Sequence, residues 1–228
     1  MRRLMQRRSV SRRPLSNVEL DLPVHRVIRL CVDLNVWVRY LRASVRPSER
    51  QTAAQAIVEA VQAGRCTAGA IQVVVSHTML SRLEDVLVKL GYGPGDASAF
   101  CSNIGTMSRR GPAGVAPHVV LGGGVASTAE ATMPIYNPYD PSVVPPRAGD
   151  EDGRVLDTAI AGRAHILATF NFKDFQSPNV AVIEPGRMQV YRAAHHRVAI
   201  VHADTCAEFL RTGTLPSADV HPTSGHTL

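Results

Sequence analysis

The sequence predicts an α/β fold with three layers, a mostly parallel central sheet flanked by helices. Three observations predict it. Short apolar runs at residues 27–32, 71–75 and 165–169 read as buried strands. Segments of helical period stand between them, and that alternation favours parallel strands joined by crossovers. The chain has 228 residues and is 45% apolar, enough to bury one core of ordinary size.

In chain order, residues 1–25 form a basic arm in which six arginines precede Glu19, the first acid. An unstructured extension is the expected reading; a nucleic-acid-binding arm and a transit peptide are the alternatives. The domain proper spans 26–211. Its first strand, 27–32, ends at Asp33, and a helix follows over 34–43. A second helical segment, 47–63, has Ser48 as a candidate N-cap and Gly64 as its stop. The strand at 71–75 leads into a helix capped by Ser76 or Thr78, with Leu80, Leu83, Leu87 and Leu90 on one side, ending at Gly91. Residues 91–149 are rich in Gly and Pro and read as a mostly irregular insert, with a helix near 97–107 and a strand near 119–121. A helix over 153–161 precedes the strand at 165–169. Further strands are expected at 180–183 and 198–201, then a helix at 205–211 and a disordered tail over 212–228.

Composition narrows the function. The net charge of +6 suits an anionic partner, because neutralising phosphates releases counterions. Only Lys89 and Lys173 are lysines, so the arginine excess is first a compositional habit. Aromatics are too scarce for a surface built on stacked bases alone. The four cysteines are widely spaced, which disfavours a zinc ribbon or a thioredoxin-like centre. No stretch approaches the ~20 apolar residues of a membrane span, and no secretory pattern is evident. The expected setting is a reducing cytoplasm, with no membrane partner.

Four acids are candidates for catalysis: Asp33, Glu84, Asp152 and Asp174. In an open parallel sheet ligands sit outside the carboxyl ends of the strands. Asp33 leaves the first strand there, Asp174 follows the third after a short loop, Glu84 lies on the helix after the second, and Asp152 opens a helix. Convergent carboxylates repel one another, and a divalent cation reverses that repulsion; all-oxygen ligands favour Mg²⁺ or Mn²⁺. Such an ion lowers the pKa of a bound water and stabilises charge on a phosphodiester. Taken singly, each acid also has an ordinary reading: a turn at Asp33, a solvated helix face at Glu84, a capping cluster at Asp152, a loop acid beside Lys173 at Asp174.

The segments VDLNVWV, the Ser76-to-Glu84 spacing and DGRVLDTAIAGRAHILATFNFKDF together resemble PIN-domain ribonucleases, most of all the VapC-type toxins of toxin–antitoxin pairs. The likeness covers residues 27–184, more loosely 198–211. It implies a PIN-like fold, a Mg²⁺- or Mn²⁺-dependent endoribonuclease, metal ligation by Asp33, Glu84 and Asp152, and Asp174 as a fourth catalytic acid. Asn35, Thr169 and Asn171 would support the site. One position departs: Asn171 stands where many PIN domains carry Asp. The resemblance further implies an RNA substrate, an antitoxin protein that blocks the site, and a homodimer.

Arg39, Arg82 and Arg163 are the candidates to hold the RNA backbone around the crevice. The glycine run at 122–124 lacks a phosphate-binding pattern. His77, His195 and His196 have no metal-ligand spacing and read as surface residues. A non-catalytic PIN-like module that binds RNA or protein is the main alternative. A phosphatase or DNA nuclease using the same acids is a third.

Overall fold

The computed structural model describes residues 27–45, 51–110, 151–175, 180–192 and 196–216; of Arg110, Glu151 and Asp152 only the backbone is described. The basic arm, Ser48, the segment 111–150, His195 and the tail from 217 lie outside the described residues.

The first strand, β1 (Ile28–Val32), runs into α1 (Leu34–Val45) with Asp33 between them. Ile28, Leu30, Cys31 and Val32 are all buried, as expected of a strand covered on both faces. Trp37 on α1 folds back, its indole N–H donating to the Val32 carbonyl (3.2 Å). Helix α2 (Ala53–Ala63) starts later than its sequence period suggests. Thr52 and Gln55 form a reciprocal capping box, and Gly64 ends the helix in the left-handed conformation.

A short hairpin, β2 (Arg65–Cys66) with β3 (Gly69–Val74), precedes α3 (His77–Lys89). Ser76 is the cap of α3, accepting from the Met79 N–H (3.2 Å). Then comes α4 (Pro94–Arg110), the helix expected near 97–107, longer by three residues at each end. Pro94 falls at the helix start, where its missing N–H costs nothing. Ala97, Cys101, Ile104 and Ser108 are buried at helical spacing. Gly105 lets α3 approach: a Cβ there would meet Leu80 Cδ1 at 3.3 Å. Phe100 packs edge-on against Trp37 and stacks on Tyr40. This part of the insert therefore belongs to the core.

Helix α5 (Glu151–Ala161), β4 (Ile166–Thr169) and a 3₁₀ turn (Phe172–Phe175) follow. The chain finishes with β5 (Val180–Glu184), β6 (Met188–Arg192), β7 (Arg197–His202) and α6 (Ala203–Thr212). The seven strands make one mixed sheet in the order β2-β3-β1-β4-β7-β6-β5. Its centre, β3-β1-β4-β7, is parallel, and β2, β6 and β5 extend it with antiparallel pairings. The strands β2 and β6 were not legible in the sequence. In β6 the buried Gln189 interrupts the apolar run, its amide donating to the carbonyls of Phe172 (3.4 Å) and Phe175 (3.5 Å).

Helices α1, α2 and α6 pack together, as do α3, α4 and α5. The crossover from β1 to β3 and that from β3 to β4 run in opposite directions along the sheet, and α1 also meets the second group through α3 and the contact of Trp37 and Tyr40 with Phe100. No described helix is long and apolar enough to cross a membrane.

Candidate functional site

The parallel centre brings the ends of β1, β3 and β4 side by side, with Asp33, Ser76 and Phe170 as the residues that immediately follow those ends or their short extension. Asp33 is continuous with the sheet: its backbone N–H donates to the Ala168 carbonyl (3.0 Å). The residue is only 4% exposed. Two donors meet its Oδ2, the Asn35 amide (2.7 Å) and the Thr169 hydroxyl (2.6 Å). A buried carboxylate without such donors would be costly. Asn35 also donates to Thr169 Oγ1 (3.2 Å) and accepts, through Oδ1, from the Phe170 N–H (3.1 Å). Asn35 thus ties the first turn of α1 to the residues closing β4.

The network continues past β4. The Asn171 backbone N–H donates to Thr169 Oγ1 (2.8 Å), and the Asn171 side-chain amide donates to Asp174 Oδ2. Asp33, Asn35, Thr169, Asn171 and Asp174 therefore form one hydrogen-bonded chain along the end of β4. It runs from a buried carboxylate to an exposed one. Asn171 is the link between the two halves.

Ser76 closes the other side. It is fully buried, bonds to Thr78 (2.9 Å) and accepts from the Thr158 hydroxyl (2.9 Å), so the start of α3 is pinned to α5. Cys31 Sγ reaches the Val155 carbonyl on the same helix (4.0 Å). The backbone of Asp152 lies three residues before Val155, about one turn nearer the start of α5. Its side chain is outside the described atoms. Glu84 is half-buried on α3 and faces α4 electrostatically. Burial, then the Glu84 charge, push the Cys101 thiol up to about 11. Burial, then the Asp33 charge, raise the Cys31 thiol in the same way. Among the described residues no three His, Cys, Asp or Glu side chains gather as a metal-holding group. That count excludes Asp152.

The arginines separate. Arg39 lies at the Asp33 end, its guanidinium over the Phe170 ring. Arg82 is half-buried on α3. Arg163 occupies the turn between α5 and β4, with a positive φ of 48°. That turn is at the amino end of β4, so the fold does not bring Arg163 to the crevice where the sequence reading put it. His77 opens α3 as an exposed residue, and His196 is half-buried just before β7.

Three residues near the site escaped the sequence reading. Phe170 and His202 meet edge to face (5.6 Å, 90°), although they are far apart in the chain. Asp157 is a buried acid on α5. An acid flanked by Val155, Leu156 and Ala159 in an apolar helix was its available signal.

No protein-family model, characterised protein or solved structure matches this chain.

Proposed function

We propose that the chain is a PIN-like, metal-dependent endoribonuclease centred on Asp33. The observation that carries this reading is the buried Asp33 carboxylate, oriented by Asn35 and Thr169 at the carboxyl ends of adjacent parallel strands. Ligand-binding crevices of open α/β sheets lie at that end. A buried acid held in one rotamer is pre-organised, and the pairing of Asp33 with Asn35 and Thr169 agrees with the roles the PIN resemblance implies.

The donor chemistry fits a hard cation. Asp33 offers carboxylate oxygen, the ligand type that a hard cation takes. Asp33, Glu84 and Asp152 would hold Mg²⁺ or Mn²⁺, with Asp174 as an outer acid; when bound, the ion supplies an acidified water and offsets negative charge on the phosphodiester. The protein's own part is positional. Thr169 and Asn35 hold the Asp33 carboxylate, and Asn171 tethers Asp174 to the same chain of bonds. Incubating RNA with the protein in Mn²⁺ tests the reading. The parent should cleave and Asp33→Asn should not; equal rates would remove Asp33 from the reaction.

The resemblance to VapC-type toxins extends the proposal to a toxin with a cognate antitoxin and a homodimeric state. A neighbouring short gene encoding a DNA-binding protein that suppresses the cleavage would support it. A second reading, a non-catalytic module that binds RNA or protein, is favoured by Asn171, which places an amide where a further carboxylate is common. Calorimetry separates the two, because the module should bind RNA without binding Mn²⁺.

A further inference from the structure

The end of β4 carries a feature that the proposed reaction does not use. The guanidinium carbon of Arg39 lies 3.9 Å from the centroid of the Phe170 ring. His202, at the end of β7, supports the same ring edge-on at 5.6 Å. The Phe170 backbone is held by Asn35, the residue that also holds Asp33. Asn35 and Arg39 are four residues apart on α1, hence neighbours on one helix face, about 5–6 Å apart. The cation therefore stands one helical turn from the residue that positions Asp33.

Two further facts define its chemistry. Arg39 is exposed, so the ring covers one side of the guanidinium and leaves the other to solvent. No carboxylate among the described residues forms an ion pair with it. A surface arginine serving stability alone is usually paired with an acid or left mobile. This one is backed by an aromatic ring, and among the described residues no side chain is hydrogen-bonded to its N–H groups. Guanidinium planes stack on nucleobases, and their N–H groups match phosphate oxygens in a way that a lysine ammonium does not.

We propose that Arg39, backed by Phe170 and His202, is a binding subsite for an unpaired RNA nucleotide next to the scissile phosphate. The base stacks on the open side of the guanidinium, and the N–H groups engage the adjoining phosphate. A paired base is already stacked on its neighbours and cannot enter. The assignment rests on Asp33 marking the reactive end of the sheet.

The test measures binding of a fluorescein-labelled single-stranded oligoribonucleotide to the full chain in EDTA, by fluorescence polarisation. Arg39→Ala and Arg39→Lys should each weaken binding about tenfold or more, the scale of one lost stacked base. Binding of the same strand as a duplex should change less than about twofold. Parent-like affinity in either variant would overturn the subsite, as would a parent protein that does not bind the strand. Cleavage of the unlabelled strand in Mn²⁺ is read separately. A parent that cleaves while Arg39→Ala binds normally refutes only the subsite. Arg39-dependent binding without any cleavage by the parent refutes only the nuclease reading.

Discussion

Asp33 and Asp174 are ends of one hydrogen-bonded chain, yet they sit in opposite environments. Asp33 is buried between β1 and α1, and two of its donors are side chains that are themselves fixed, one in the first turn of a helix and one at the end of a strand. Asp174 is exposed in a 3₁₀ turn, and its described partner is a neighbouring amide three residues away. Water can replace that amide; it cannot replace Thr169 for Asp33. The asymmetry teaches that an acid's place in a motif says little about its energetic weight. Desolvation decides how much each partner matters.

The comparison breaks most easily on activity. Asp33→Asn should lower the rate of Mn²⁺-dependent RNA cleavage by at least about a hundredfold, a barrier increase of ~2.7 kcal/mol. Asp174→Asn should lower it by less than about tenfold, or ~1.4 kcal/mol. Equal losses would mean that exposure does not rank the two acids.

Stability should show a smaller asymmetry. Thr169→Val keeps a β-branched residue in the strand but removes the hydroxyl that donates to Asp33 and accepts from Asn171. Urea unfolding should report a loss of about 1–3 kcal/mol, the cost of leaving buried polar groups without a partner. Asn35→Ala should fall in the same range, about 1–3 kcal/mol. The double variant should lose less than the sum of the two, because both residues act on one carboxylate. Strict additivity would argue against a shared network.

Ser76→Ala sharpens the contrast with the other side of the site. It removes the α3 cap and the acceptor for Thr158, so a loss of about 1 kcal/mol is expected from the cap alone. Smallest of all, Asp174→Asn should shift unfolding by no more than about 0.5 kcal/mol, as at other exposed positions. A larger shift would show that the Asn171 link carries load into the buried half.

Much of this was legible in the chain. Residues 28–32 form a strand because both faces are buried and every residue but Arg29 is apolar, a pattern visible without any partner. Gly64 stops α2 and Ser76 starts α3 for reasons contained in a few neighbouring residues. Other parts were hidden by composition. Pro94 and Gly95 hid the first turn of α4, whose buried positions keep helical spacing. The strand β6 was missed because Gln189 is tolerated in the interior only when the carbonyls of Phe172 and Phe175 are there to accept from it. Arg163 was a candidate for the crevice, but it precedes β4 while Thr169 ends it, so the two lie at opposite ends of that strand.

The amino-acid order alone determined the alternation of strands and helices, most of their limits and the placing of Asp33 just beyond the first strand. Those follow from side-chain period, caps and left-handed glycines, which act within a turn or two of chain. Only the folded structure decided that Thr169, 136 residues away, donates to Asp33, that Arg39 rests on Phe170 beside His202, and that the sheet ends in antiparallel strands. Such contacts depend on the order and register of strands in the sheet, and these are set by the burial of the whole core rather than by any one segment's preference.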